Sequence, residues 1–330
     1  MSFFSGEHVE TLELWAPSRL HFGLLPDGYP TTSRRGGVGV MIENPHLNII
    51  ASRGVNWKIT GPLSDRIQKT VALLWDQTSR SAIPLRIHVK SAPPSHAGFG
   101  SGTQLSLAIL TILRHFQQND ADDDLQAPDR LGRGSRSKVG SIGFRRGGLI
   151  YDPGHSDDKH GSSDDQFMHF DMPKAWRWLT VTCREDQGLA GEAEKNAFSK
   201  ILPEPARRVQ LTRLIETELL RGIADNDIER FGAALTEYGN LSGTAFAPYQ
   251  HGLYRSAAVA DIANRLKGVG VHGVGQSSWG PTIFGLFPNQ NNLEEFIATN
   301  SWLKDRQLVY RMSPTNSTGA RLRDPERLEN

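Results

Sequence analysis

A loop of small residues occurs where the sequence begins a helix. Residues 93–104 read Pro-Pro-Ser-His-Ala-Gly-Phe-Gly-Ser-Gly-Thr-Gln, and Leu105, Ile109 and Ile112 follow with helical spacing. The first N–H groups of a helix lack partners inside it and lie at the positive end of its dipole, and glycines let a phosphate approach them. The loop therefore predicts an anion site. Its predicted phosphate-binding residues are Gly98, Gly100, Ser101, Gly102 and Thr103.

This loop does not match the common nucleotide motifs. No Gly-Lys-Ser/Thr follows it, as a Walker A motif requires, and it lacks the context of a dinucleotide fingerprint. Leu85–Val89 alternates apolar and polar residues, which predicts a half-buried strand and places the loop at a strand-to-helix turn. By itself the loop is equally consistent with a helix start that needs glycine only for tight packing. The other polar clusters of the sequence must therefore distinguish an anion site from this alternative.

Two polar residues share one face of a predicted strand near the N-terminus. In Ala16–Gly23 the alternation of a strand puts Arg19 and His21 on the same side. A cation beside an imidazole suits an active site. The alternative is a solvent-facing strand with two ordinary polar side chains.

Two glycine-rich segments carry basic residues. Residues 130–146 hold six basic side chains, and residues 31–39 hold Arg34 and Arg35. Guanidinium groups on such a backbone can capture phosphate or carboxylate in bidentate geometry. A solvated basic loop is the ordinary alternative, and the number of glycines among the arginines of residues 130–146 argues against it.

A third glycine-rich stretch, Gly270–Pro281, offers an amide and two hydroxyls at a strand end, where they suit a polar ligand. A plain β-hairpin would need the same glycines for its turn. Metal binding has less support. Two histidines and two aspartates crowd together within residues 155–160 but lack the spacing of metal ligands, so no metal site is predicted.

Composition limits the class of protein. The 330 residues are 38% hydrophobic and 22% charged, which is typical of a soluble globular chain with room for two domains. A net charge of +1 gives no drive toward nucleic acid or an anionic membrane. Cys183 is the single cysteine, and residues 1–7 do not resemble a signal peptide, so we expect a cytoplasmic protein. The most apolar run, Leu105–Leu113, is too short to span a bilayer.

The order of predicted elements indicates two domains, residues 1–170 and residues 171–330. The first begins with strands and continues with helices that start near Ser64 and at the glycine loop. The second has helices followed by two strands and a last helix, an α+β order, and its tail after Ser313 is predicted to be flexible. The predicted strands include Val9–Ala16, Leu20–Leu25, Leu47–Ala51, Val55–Thr60, Gly270–Gly275 and Pro281–Leu286.

Together the clusters resemble a known superfamily. Ala16–Gly23, the loop at residues 93–104 and Gly270–Gly280 have the order and spacing of the three motifs of the GHMP kinases, and the resemblance covers nearly the whole chain. Ser18–Leu24, Leu131–Gly148 and Gly275–Pro281 are most similar to the family of β-ribofuranosylaminobenzene 5′-phosphate synthases of methanopterin biosynthesis.

This resemblance implies an α+β fold of two GHMP-type domains: a mixed-sheet N-terminal domain with its remaining helices, which binds phosphate, and a ferredoxin-like C-terminal domain. The implied substrates are 5-phosphoribosyl 1-diphosphate and 4-aminobenzoate, which would give a C-glycoside, diphosphate and carbon dioxide. Mg²⁺ is a chemical expectation for a diphosphate ligand. A homodimer is compatible with the sequence, and neither nucleic acid nor membrane is an implied partner.

Residue roles follow from the same resemblance. Arg19 is expected to steer the carboxylate of the acceptor, with His21 in a polar role beside it, and Arg136 completes the implied catalytic set. Arg133 and Ser137 are added to the phosphate-binding residues. The residues assigned to substrate binding are Arg35, Gln276, Ser277, Ser278 and Trp279.

One difference from the GHMP kinase motifs bears on whether the chain is a phosphoribosyl transferase or a kinase. Many GHMP kinases carry an aspartate in a Gly-Ser-Gly-x-Asp run, whereas Arg136 takes its place in this chain. The missing base favours phosphoribosyl transfer. An ATP-dependent small-molecule kinase remains the alternative, with ATP as its cofactor, because positioning and charge supply most of phosphoryl transfer. A non-catalytic sensor of a phosphorylated metabolite is a third interpretation.

Overall fold

The computed structural model describes residues 11–26, 35–75, 83–117, 137–154, 167–189, 191–250 and 252–324. Its strands form two sheets. The first has the order β11-β1-β2-β4-β3, and β5 pairs with both β2 and β6. Only the pairing of β3 with β4 is parallel among the described strands of this sheet, so the sheet is mixed, as predicted. Its strands are β1 (Thr11–Leu24), β2 (Gly37–Arg53), β3 (Lys58–Thr60), β4 (Leu85–Ser91), β5 (Leu149–Asp152), β6 (Met168–Phe170) and β11 (Arg321–Arg323).

Strand β1 differs from its prediction. The two predicted strands Val9–Ala16 and Leu20–Leu25 form one continuous strand in the described chain, and its register against β2 shifts between Ala16 and Ser18. Pro17 lies at this shift, where a residue without an N–H group costs the ladder no hydrogen bond. The bulge lets the two ends of β1 bury side chains in different cores.

Helices cover one face of the first sheet. They are α1 (Ser64–Trp75), α2 (Ser101–Phe116) and α3 (Val139–Arg146). Leu14, Ile49 and Ile87 from the strands pack against Ile67 and Ile109 from α1 and α2. No helix was predicted in the glycine-rich basic segment at residues 130–146, and its second half forms α3 because Val139, Ile142 and Phe144 give it a buried face.

The second sheet is antiparallel with the order β10-β7-β9-β8. This order, with helices between β7 and β8 and between β9 and β10, is that of a ferredoxin-like unit. Its strands are β7 (Arg177–Cys183), β8 (His272–Gln276), β9 (Thr282–Phe287) and β10 (Leu308–Pro314). The helices are α4 (Gly191–Ser199), α5 (Pro205–Leu214), α6 (Leu220–Ala224), α7 (Ile228–Thr244), α8 (Ala257–Gly268) and α9 (Gln290–Thr299), and a π-helical turn, Ile215–Leu219, joins α5 to α6.

Local chemistry fixes where several of these helices begin. The side chain of Asp227 accepts a hydrogen bond from the N–H of Arg230 at the start of α7. Ser256 and Asn289 accept the corresponding bonds at the starts of α8 and α9. Each cap satisfies a helix-start donor that would otherwise be unpaired.

A central core joins the two sheets. Phe22 of β1 packs against Trp178 of β7 and Phe284 of β9, with ring centroids 5.7 and 5.3 Å away. Leu179, the next residue of β7, faces the opposite core beneath α8 and α9. The second sheet is therefore buried on both faces and holds the N-terminal half of the molecule against the helices of the C-terminal half.

The end of the chain returns to the first sheet. The chain leaves that sheet after Phe170 and enters the second at Arg177, where the domain boundary was predicted. The prediction of a flexible tail after Ser313 is wrong for residues 314–324. Strand β11 pairs with β1, and the fully buried Asn316 donates its N–H to the carbonyl of Met41 and accepts from the N–H of Gly148.

In the described part of the chain, no helix combines the length and apolar character needed to cross a bilayer. Cys183 is buried and unpaired.

Candidate active site

The glycine loop joins β4 to α2 in a strained conformation. His96, Gly98 and Gly100 have φ values of 56°, 90° and 69°, in the left-handed region that glycine tolerates best. Gly100 caps α2, and its carbonyl accepts from the N–H groups of Thr103 and Gln104 at 3.0 and 3.2 Å. The N–H groups of Ser101 and Gly102 are then the donors that the helix start offers to an anion.

Ser277 ties the three glycine-containing segments together. Its hydroxyl donates to the carbonyl of Gly98 at 2.8 Å and accepts from the N–H of His21 at 3.0 Å. The N–H of Ser278 in turn donates to the carbonyl of His21 at 3.0 Å. Ser277 is fully buried and uses its hydroxyl on these contacts, so we assign it a positioning role where sequence reasoning expected substrate binding.

A large polar cavity opens over the loop. This phosphate-loop cavity is wide and open to solvent, with a volume of about 680 Å³. Arg19 lines it and donates to the carbonyl of Gly98 across 3.5 Å. Arg19 was expected to meet the aromatic acceptor, and the structure places it beside the phosphate loop instead. Other lining residues are Ser64, Asp65, Arg66, Ser95, His96, Gly98, Gly100, Ser101, Gly102, Thr103, Glu194, Ser278, Trp279 and Gly280.

A second, smaller cavity is lined by aromatic rings. This aromatic cavity is much narrower than the phosphate-loop cavity. Phe198, Phe246 and Trp279 pack edge to face around it, with centroid separations of 4.8 to 5.8 Å. Its polar lining side chains are His21, Asn240, Ser242, Gln250, Tyr254, Gln276 and Ser278. A lining of aromatic rings with a few polar side chains is typical of sites for small organic molecules.

Ser278 and Trp279 form a wall common to both cavities. Trp279 is 4% exposed, and its indole N–H has no hydrogen-bond partner among the described residues. Buried indole N–H groups usually find a partner. Ser278 and Trp279, both predicted to bind substrate, therefore lie where two ligands could meet.

His21 carries no charge at neutral pH. Burial lowers the pKa of its imidazole well below the ordinary value, and the positive charge of Arg19 lowers it further. His21 lines the aromatic cavity while Arg19 lines the phosphate-loop cavity, although they are two residues apart on β1. The neutral imidazole suits a polar contact with an uncharged part of a ligand.

Two more residues assigned to substrate binding support the walls. Arg35 donates to the carbonyls of Phe198 and Ile201 at 3.3 and 3.2 Å, and its guanidinium lies over the Phe198 ring. It therefore holds one side of the aromatic cavity. Gln276 lines that cavity directly, and its amide nitrogen donates to the carbonyl of Ser278 at 3.0 Å.

The start of α3 lies beside the start of α2. The amide nitrogen of the buried Gln104 donates to the carbonyl of Gly140 at 2.9 Å. The hydroxyl of Ser137 accepts from the N–H of Val139 at 3.2 Å, next to this contact. Arg133 and Arg136 lie outside the described residues.

Sequence reasoning missed Asp152. Its buried carboxylate accepts from the N–H groups of Lys138 and Gly154 at 2.7 and 3.0 Å, and so fixes the approach to α3. The only signal in the sequence is an aspartate placed before Pro153 and Gly154, which is a turn pattern.

No group of three or more His, Cys, Asp or Glu side chains in the described chain has the arrangement of a metal site. His155, Asp157, Asp158 and His160, which were predicted to be loop residues without a metal, lie outside the described ranges.

Two family models match the parts of the chain that build these cavities. The GHMP kinases N terminal domain matches residues 65–140, which contain α1, the glycine loop and α2. The GHMP kinases C terminal model matches residues 218–300, which contain α7, α8 and the shared wall. The predicted resemblance to the GHMP kinases is therefore confirmed in both halves of the chain. The predicted α+β fold of this superfamily is confirmed.

The curated proteins to which the chain is similar include two named beta-ribofuranosylphenol 5′-phosphate synthase. The one from Methanothermobacter thermautotrophicus is 27% identical over 82% of this chain and 87% of its own length. The one from Archaeoglobus fulgidus is 29% identical over 83% and 87%. The crystal structure of homoserine kinase from Cytophaga hutchinsonii superposes with a TM-score of 0.63, covering 98% of this chain and 100% of that one at 14% identity, which shows the shared fold.

Proposed function

We propose that the protein transfers the phosphoribosyl group of 5-phosphoribosyl 1-diphosphate to a para-substituted benzoate, with release of diphosphate and carbon dioxide. The observation that carries this proposal is the pair of cavities with a common wall. One has a helix start and Arg19 for phosphate, and the other has aromatic rings for a planar acceptor. The names of the curated relatives support the same reaction class.

Departure of diphosphate from C1 of the ribose places negative charge on the leaving oxygens and gives the sugar oxocarbenium character. Preorganised donors at those oxygens lower the barrier. The N–H groups of Ser101 and Gly102 offer such donors, and Arg19 lies beside the same loop with a fixed positive charge.

The acceptor ring supplies the electrons for the new bond. The ring carbon that bears the carboxylate attacks C1 of the ribose while the C1–O bond to diphosphate breaks. The bond to the carboxylate then breaks, carbon dioxide leaves, and that electron pair restores the aromatic ring. A ring packed against the cluster of Phe198, Phe246 and Trp279 would present this carbon at the shared wall. The chemistry requires no strong base, which suits a neutral His21.

Two acceptors fit this reaction class. The resemblance in the sequence implied 4-aminobenzoate, whose product carries an amino group. The name of the relatives specifies a ribofuranosylphenol, whose ring carries a hydroxyl. We therefore include 4-hydroxybenzoate as the second acceptor to be tested.

Mg²⁺ fits the phosphate-loop cavity as an ion that accompanies the diphosphate. Asp65 and Glu194 line this cavity, and Mg²⁺ is commonly held by one or two carboxylates together with substrate phosphates. The ion would neutralise charge on the leaving group.

The test is to incubate the protein with 5-phosphoribosyl 1-diphosphate and each acceptor and to identify the product by mass spectrometry. We expect a decarboxylated aryl riboside phosphate that forms without ATP. Parallel reactions with ATP and small alcohols would show a kinase by ADP formation. ADP formation without the riboside would overturn the proposal, and tight ligand binding without any product would indicate a sensor.

A further inference from the structure

Contacts with a lysine determine which atoms of two side chains in the aromatic cavity accept hydrogen bonds and which remain as donors. The ammonium of Lys267 donates to the hydroxyl oxygen of Tyr254 at 2.7 Å and to the amide oxygen of Asn240 at 3.4 Å. An ammonium has donors only, so both oxygens act as acceptors in these contacts. The hydroxyl hydrogen of Tyr254 and the amide hydrogens of Asn240 are what these two side chains then offer to a ligand.

Tyr254 and Asn240 both line the aromatic cavity, and neither belongs to the lining of the phosphate-loop cavity. The reacting carbon of an acceptor must lie at the shared wall of Ser278 and Trp279, next to the phosphoribosyl donor. The para substituent is at the opposite end of the ring, so it points away from that wall. Tyr254 and Asn240 both carry donors that could reach it.

We propose that Tyr254, positioned by Lys267, donates a hydrogen bond to the para substituent of the acceptor and so selects a hydroxyl over an amine. A phenolic oxygen accepts a hydrogen bond readily. The nitrogen of an aromatic amine is a poor acceptor because its lone pair is delocalised into the ring. This inference rests on the proposed function, since it assumes a benzoate in the aromatic cavity.

The direct test is the Tyr254→Phe variant, which keeps the ring and removes only the donor. We expect the native protein to bind 4-hydroxybenzoate about tenfold more tightly than 4-aminobenzoate, the size of effect that one hydrogen bond gives. Tyr254→Phe should lose that preference by weakening 4-hydroxybenzoate alone. Calorimetric titration of both acceptors provides the dissociation constants, and steady-state kinetics provides the matching KM values.

Tyr249→Phe is the matched control. Its hydroxyl donates to the carbonyl of Lys200 at 3.0 Å and it does not line the aromatic cavity, so the control should keep the native preference. Lys267→Met should reduce the preference because Tyr254 is then no longer held as a donor, and Lys267→Arg should restore part of it. Thermal melting checks that each variant is folded.

The outcomes separate this inference from the proposed function. Binding with the expected preference but without turnover would support the acceptor site and contradict phosphoribosyl transfer. Turnover with equal losses for both acceptors in Tyr254→Phe would show that Tyr254 contacts a group common to both, such as the carboxylate, and would overturn the inference. An unchanged preference in Tyr254→Phe would also overturn it.

Discussion

At the scale of single residues, the main result is that neighbours on one strand serve different cavities. The sequence predicted correctly that Arg19 and His21 belong to a strand, because alternation is local information. It could not show that this strand passes between two cavities, since their other walls come from residues more than 40 positions away. For this reason Arg19 was expected at the acceptor site, whereas the structure places it beside the phosphate loop.

Arg19→Ala is expected to weaken binding of the phosphoribosyl donor. Loss of a charge-assisted contact costs about 1.5–3 kcal/mol, which raises the KM for 5-phosphoribosyl 1-diphosphate about tenfold or more. The KM for the acceptor should change little. Arg19→Lys keeps the charge without the planar guanidinium and should have an intermediate effect. If only the KM of the acceptor rose, Arg19 would instead contact the acceptor, as the sequence predicted.

His21→Gln is expected to make stability less dependent on pH. Below pH 6.5, the unfolded chain takes up a proton at His21 that the folded chain resists, so the free energy of unfolding decreases as the pH falls. This one residue contributes at most about 1.4 kcal/mol per pH unit. Urea titrations at about pH 7 and about pH 5.5 should show a smaller decrease for the variant. Equal decreases in both proteins would contradict a neutral buried His21.

At the scale of elements, the glycine loop and α2 were predictable because the whole motif is contiguous. Helix α3 was missed because the many glycines and arginines in residues 130–146 obscure the helical pattern of its few apolar residues. Those residues are buried only by packing against Met41 and the first sheet. Ser277 was identified as polar and close to a turn. Its contact with Gly98, 179 positions earlier, follows from tertiary structure alone.

Gly98→Ala tests how tightly the loop is held. A Cβ atom there would lie 2.4 Å from the backbone oxygen of Ser277, and φ is +90°. Gly270→Ala is the control, because its φ of +78° is similarly strained but no atom lies within 4 Å of its Cβ. We expect the control to cost about 1–2 kcal/mol and keep its activity, whereas Gly98→Ala costs more and loses turnover. If Gly98→Ala and Gly270→Ala lowered stability equally and both kept activity, the close contact with Ser277 would not be important.

At the scale of the whole molecule, composition and element order were enough to predict a mixed α+β fold, since that depends on summed local patterns. The return of residues 314–324 to the first sheet was not predictable, because the segment is polar. Several of its polar groups are bonded inside the fold: the backbone of Asn316 bonds with Met41 and Gly148, and its side-chain oxygen accepts from the N–H of Gly319 at 2.8 Å.

Deletion after Ser313 is expected to destabilise the entire protein. The truncated chain loses β11 and the buried contacts of Asn316, which at about 1 kcal/mol for each hydrogen bond amounts to about 3 kcal/mol or more. A chain ending at Asp324 keeps these contacts and serves as the control. Urea unfolding measures both, and a truncated protein as stable as the control would restore the flexible-tail prediction.

The central claim is that the two cavities join a phosphoribosyl donor to a carboxylated ring. The most direct measurement uses 4-hydroxybenzoate and 4-aminobenzoate labelled in the carboxyl carbon, with 5-phosphoribosyl 1-diphosphate, and quantifies labelled carbon dioxide together with diphosphate. We expect at least one acceptor to release the two products in equal amounts, and only when the donor is present. Diphosphate without labelled carbon dioxide, or no release from either acceptor by a folded protein, would contradict the account.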